Sequence, residues 1–147
     1  MMNNNYDEYQ MINRQKIAFR TLIITLILVI LNGMISSTYD WAPPMVQALL
    51  IIMLAAGYFV TCAIFKNAYL SRKLKNSYLT VLSFATLGML NIALAFSSLS
   101  LLGFSHLIYN GRLNDGIVPL LSGVFFLYFS VITLIKVLWE RRQNEND

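Results

Sequence analysis

Four long, uncharged and strongly apolar stretches divide this chain, and ten of its eleven Lys and Arg residues fall on one side of the zigzag those stretches would trace. Segments of this kind belong in hydrocarbon. There the backbone must satisfy its own hydrogen bonds, and for a single segment only a helix does so. Composition agrees: the 147 residues are 57% hydrophobic and 12% charged, too little charge to coat a water-soluble globule of that size. The mean hydropathy of +0.60 says the same.

The spans can be counted from the gaps between charges. Arg20 to Asp40 encloses 19 uncharged residues, Asp40 to Lys66 encloses 25, Lys75 to Arg112 encloses 36 and Asp115 to Lys136 encloses 20. About 20 residues cross the hydrocarbon as a helix, so three of the gaps hold one helix each. The 36-residue gap also holds one, because Gly103, Ser105, His106, Asn110 and Gly111 interrupt its second half. The expected spans are 21–37, 44–65, 78–102 and 117–138, between a soluble segment over 1–20 and a polar, disordered tail over 139–147.

Charge supplies an independent check on that count. Four crossings put Arg14, Lys16, Arg20, Lys66, Arg72, Lys73, Lys75, Lys136, Arg141 and Arg142 on one side and leave Arg112 opposite; a fifth would split this set. By the positive-inside rule the basic side is cytoplasmic. The expected fold is therefore an all-α membrane protein, an up-down bundle of four transmembrane helices with both termini in the cytoplasm. The first span follows about twenty mostly polar residues and lacks a small-residue cleavage pattern, so it reads as a retained anchor.

Pro43, Pro44 and Pro119 mark helix starts, where a missing N–H costs little. Tyr39 and Trp41 at the outer interface, with Tyr69, Tyr78 and Trp139 at the inner, are expected to form aromatic belts. The basic loop carrying Lys66, Arg72, Lys73 and Lys75 reads first as a topology signal and only second as a binding patch. Tyr6, Tyr9 and Ile12 recur at three-residue spacing, as on one face of a helix. Net charge of +4 lies beside apolar spans, where it meets lipid headgroups, so the lipid bilayer is the expected partner and nucleic acid is not.

Function should show in the polar residues within the spans. Asn32 and Asn91 carry amides that seek partners in hydrocarbon, and the favoured reading is a hydrogen bond between helices rather than a substrate contact. Small residues at three- and four-residue spacing (Ala55, Ala56, Gly57 and Thr61; Ala85 and Gly88; Ala93 and Ser97) favour close helix packing. A neutral pathway through Asn32, Asn91, Ser97 and Ser98 is the alternative. Catalytic motifs are absent: there is no HExxH, no Gly-rich phosphate loop and no CxxC pair. Asp40, His106 and Asp115 share the outer side but lack diagnostic metal-ligand spacing, so no metal or cofactor is expected. Cys62, the single cysteine, reads as a small buried hydrophobe.

Two short motifs carry a resemblance: Asp7-Glu8-Tyr9-Gln10 ahead of Arg14 and Lys16, and Asn67-Ala68-Tyr69 after the second span. In these the chain resembles uncharacterised small four-helix integral membrane proteins of Gram-positive bacteria. The resemblance implies a bacterial plasma membrane and a role at the cytoplasmic face. The expected function is that of a non-enzymatic membrane protein working through protein–protein interaction, as a partner subunit, membrane sensor or immunity-type protein. The alternative is a small homo-oligomeric transporter or channel. Four-helix drug exporters are similar in size but rely on an embedded carboxylate, which these spans lack.

Overall fold

Helices account for nearly all of the regular structure. The computed structural model describes residues 8–66, 77–103 and 107–146. Helix α1 runs Glu8–Thr38, α2 Pro44–Phe65, α3 Ser77–Leu102 and α4 Val118–Asn146. Each contains a stretch long and apolar enough to cross a membrane: Gln10–Thr38, Pro44–Phe65, Tyr78–Leu102 and Asp115–Trp139.

Two helices outrun the spans that charge defines. α1 starts at Glu8 rather than Thr21, and α4 continues to Asn146, through what was expected to be a disordered tail. The reason is that charge marks where hydrocarbon ends, whereas only a breaker ends a helix. No Pro or Gly occurs between Glu8 and Arg20 or between Val124 and Asn146. Glu8 also lies in the first turn, where a carboxylate complements the helix dipole.

The loop after α3 holds a structured element as well. Strands β1 (Ile108–Tyr109) and β2 (Arg112–Leu113) pair antiparallel, with Ile108 opposite Leu113 and Tyr109 opposite Arg112. The two turn residues, Asn110 at φ 50 and Gly111 at φ 75, take the positive φ values that the twist of a tight hairpin demands. A short 3-10 turn, Asp115–Ile117, capped by the Asn114 side chain accepting from the Asp115 N–H at 2.9 Å, leads into α4.

Side-chain contacts give the direction of every helix. Asn32 meets Gln47 and Ile17 packs on Ala63, so α1 and α2 are antiparallel. Gly57 lies beside Phe125 and Tyr128, and Phe65 beside Trp139, so α2 and α4 run parallel. Gly88 faces Gly123, and Ser130 donates to the Val81 carbonyl at 3.0 Å, so α3 and α4 are antiparallel. One end of the molecule therefore gathers the start of α1, the end of α2, the start of α3 and the end of α4. It is called the terminal end below, and the opposite one the hairpin end.

The helices form a row rather than a closed ring. α1 packs mainly on α2, α2 in turn on α4, and α4 most extensively on α3. Burial follows this order: 22% of the spanning windows of α2 and α4 is buried, against 6% for α1 and 11% for α3. Large apolar side chains line the open faces, among them Phe19 at 63% exposure, Met34 at 65% and Leu82 at 67%. Such surface is costly in water and at home in lipid.

Candidate functional site

Lipid tails are as apolar as leucine, so helices in a bilayer gain little from burying oil against oil. Packing and hydrogen bonds decide their association instead. The seams between helices are therefore where the sequence does something specific.

The α1–α2 seam is polar near the hairpin end. Gln47, in the first turn of α2, accepts through Oε1 from Asn32 Nδ2 at 2.8 Å and from Ser36 Oγ at 2.8 Å. Its Nε2 donates to the Ala42 carbonyl at 2.7 Å. Asn32 and Ser36 are one helical turn apart on α1, in a half-buried stripe that also carries Thr21 and Thr25. Toward the terminal end the same seam turns apolar, with Ile17 2% exposed and Ala63 1% exposed, packed with Phe59 and Cys62.

Gln47 is the residue that sequence reasoning missed. As the one Gln, Asn or charged side chain between Pro44 and Phe65 it carried a readable signal, an amide that must find a partner at the edge of hydrocarbon.

The other predicted residues behave differently. Asn91 Nδ2 donates to the Leu87 carbonyl of its own helix at 2.9 Å. Ser97 donates to the Ala93 carbonyl at 2.9 Å and Ser98 to the Ala95 carbonyl at 2.8 Å, again within α3. Asn32 lies on α1 and the other three on α3, at opposite ends of the row, so one copy of the chain does not bring the four together. Of the basic loop, Lys66 terminates α2, its N–H donating to the Cys62 carbonyl at 3.0 Å. Arg72, Lys73 and Lys75 lie outside the described residues, as do Tyr69 and His106.

The α3–α4 seam relies on close approach. A Cβ added at Gly123 would meet Ile92 Cγ1 at 2.6 Å and the Gly88 carbonyl oxygen at 3.0 Å. One added at Gly88 would meet Leu127 side-chain carbons at 2.8 Å. The backbones pass within a distance that only glycine permits. Beyond this crossing Phe84, Phe125, Phe126 and Phe129 form a ring cluster, with Phe125 and Phe129 edge to face at 4.4 Å.

Between α2 and α4 the packing is looser. Thr61 Oγ1 and Tyr128 Oη share a hydrogen bond of 2.6 Å, and above it an apolar groove of about 410 Å³ opens, bounded by Met53, Gly57, Tyr58, Leu121 and Phe125.

At the hairpin end the two halves are tied across their loops. Arg112 forms an ion pair with Asp40. Tyr39 Oη donates to the Gly111 carbonyl at 3.0 Å, and the Leu113 N–H to the Trp41 carbonyl at 2.9 Å. Asp40 is thus engaged with a cation, and among the described residues no three His, Cys, Asp or Glu side chains converge as metal ligands. At the terminal end Trp139 meets the Phe65 ring at 6.4 Å, and Lys136, only 8% exposed, holds Nζ 5.8 Å from the Trp139 ring centre.

No family model matches the chain, and no curated protein or solved structure matches it significantly. The functional argument therefore rests on the seams and on the faces left open.

Proposed function

We propose that the protein is a non-enzymatic integral membrane protein that acts by lateral association with a helix of another membrane protein, as a partner subunit, sensor or immunity-type protein. In this reading both termini lie in the cytoplasm of a bacterial plasma membrane. The lopsided distribution of Lys and Arg supports that orientation.

The observation that carries the reading is the outward face of α3. Ser83, Thr86, Leu90, Ala93, Ser97 and Ser100 follow one another at alternating spacings of three and four, and all are exposed. By the helical repeat they lie opposite Gly88 and the α4 contact. Alternating three-four spacing is the seam geometry of left-handed helix pairs, and small side chains allow the backbones to approach. The hydroxyls already donate to carbonyls of their own helix at 2.8–2.9 Å, as in Thr86 to Leu82 and Ser100 to Ser97. The face is thus stable in lipid alone, and a partner helix would gain packing there without having to supply hydrogen bonds.

Photocrosslinkers attached at Ala93→Cys and at Leu94→Cys, both in a Cys62→Ser background, test this in native membranes. These neighbours share a depth but differ in direction. A distinct protein captured from position 93 and not from 94 is the expected result. Capture of the chain's own copies alone would replace this reading with the homo-oligomeric transporter or channel, and equal yields at both positions would remove the α3 face from the argument.

A further inference from the structure

Tyr58 of α2 and Tyr128 of α4 carry hydroxyls deep within spans, and among the described residues only that of Tyr128 has a hydrogen-bond partner. Tyr58 is 7 residues from the nearer end of Pro44–Phe65, and Tyr128 is 11 from the nearer end of Asp115–Trp139. At about 1.5 Å of rise per residue, both start at least about 10 Å inside the span ends. Helical side chains lean toward the N-terminus of their own helix, which in α2 and α4 is the hairpin end, so the lean carries both rings away from the nearer edge.

Thr61 has one hydroxyl hydrogen and donates it to the Gly57 carbonyl at 2.7 Å, so the hydrogen in its 2.6 Å contact with Tyr128 is the phenol's. Tyr58 keeps an O–H donor that nothing in the described chain receives. In hydrocarbon, where water cannot stand in, such a donor is costly.

Both rings line the groove between α2 and α4. Its volume of about 410 Å³ suits a small ligand, for which about 300–1,000 Å³ is usual, and Leu50, Met53, Leu121 and Phe125 make its walls apolar. Gly57 keeps it open: a Cβ there would lie 3.8 Å from the Tyr128 ring and 3.9 Å from the Phe125 ring, and any longer side chain would enter the space between them.

We propose that this groove binds an uncharged lipophilic molecule bearing a carbonyl on a flat ring, as a quinone does. The carbonyl oxygen accepts from Tyr58 Oη, and the ring lies among Tyr58, Phe125 and Tyr128. Walls without a charged residue exclude an ionised ligand. The carbonyls of a phospholipid stay with its headgroup at the interface, so its chains bring no acceptor to this depth. Aromatic walls favour a ring over a flexible chain, because rings gain from offset and edge-to-face contact. The lining residues belong to α2 and α4, so the site does not depend on what associates with the outward face of α3.

The test uses the full-length protein in neutral detergent micelles and reads the rise in thermal unfolding midpoint against the mole fraction of added probe. The probes are dimethylnaphthoquinone, with both ring carbons between the carbonyls methylated so that the Cys62 thiol cannot add, and dimethylnaphthalene, which has the same ring without carbonyls. The quinone is expected to half-saturate at a mole fraction about fivefold lower than the hydrocarbon, the size of one net hydrogen bond. In Tyr58→Phe the quinone should fall back to the hydrocarbon's value while the unliganded midpoint stays where it was, since no partner is lost. Tyr109→Phe, at the hairpin end, should bind as the parent does. Equal half-saturation by the two probes would mean that the groove takes any hydrocarbon, a lipid chain included, and would overturn the proposal. Undiminished quinone binding in Tyr58→Phe, an equal loss in Tyr109→Phe, or a lower unliganded midpoint in Tyr58→Phe would each overturn it as well.

Discussion

The two halves of the molecule hold their helix pairs by different means. α1 and α2 meet through a hydrogen-bonded amide, with Gln47 taking Asn32 and Ser36. α3 and α4 meet through absent side chains, with Gly88 and Gly123 letting backbones touch. Either device answers the same problem, that hydrocarbon offers no hydrophobic drive for one helix to leave lipid for another. The close-packed pair is the more extensive, and the polar pair leaves most of α1 open. Hydrogen bonds fix register at a few points, whereas glycine contact lets long stretches of both helices interdigitate.

Breaking the close-packed seam should have the largest effect. Gly123→Val forces a side chain into Ile92 and the Gly88 carbonyl, which are mostly backbone or crowded and cannot yield cheaply. The expected loss is about 3 kcal/mol, at the upper end for overpacking, read as reversible unfolding in mixed micelles. Gly33→Ala is its control, because nothing lies within 4 Å of the new methyl group. A similar loss in both variants would mean that the glycines matter for a reason other than the crossing.

Breaking the polar seam should cost less. Gln47→Leu removes the shared acceptor of two hydrogen bonds, each worth about 0.6–2 kcal/mol in a membrane, so an intermediate loss is expected. A double-mutant cycle with Asn32→Leu sharpens the comparison. Nearly all the loss from Asn32→Leu should vanish in the Gln47→Leu background, and full additivity would show that the pair is not coupled.

Asn91→Leu should have the smallest effect on the chain itself. Its amide is bonded within α3, so the loss of stability should stay below about 0.5 kcal/mol, the range of substitutions outside packed or networked positions. A loss as large as that of Gln47→Leu would mean that Asn91 reaches another helix, and the contrast between the two amides would fall.

Much of this arrangement could be read in advance, and the misses have physical causes. Helix number followed from the gaps between charges, since a charge in hydrocarbon is too costly to ignore. The hairpin is legible in the residues, since Asn110-Gly111 is a strong two-residue turn signal as well as an interruption of the span. The spacing of Tyr6, Tyr9 and Ile12 points to a helix ahead of the first span, whereas the continuation of α4 to Asn146 is lost when span ends are equated with helix ends. Gly123 went unremarked beside Ala85 and Gly88, since small residues are common in such helices and only a partner's position makes one of them critical.

The residues alone determined that four helices form, how long their apolar parts are and which ends carry the cations. Those are properties of one segment against solvent or lipid, and each segment carries its own information. Tertiary structure decided which helices are neighbours, that α2 and α4 occupy the middle of the row and α1 and α3 its ends, and which of two amides would join helices. The physical reason is that lipid-facing and helix-facing side chains are both apolar here. The usual distinction between inside and outside is therefore lost from the pattern and returns only as shape, where a methyl group fits or does not.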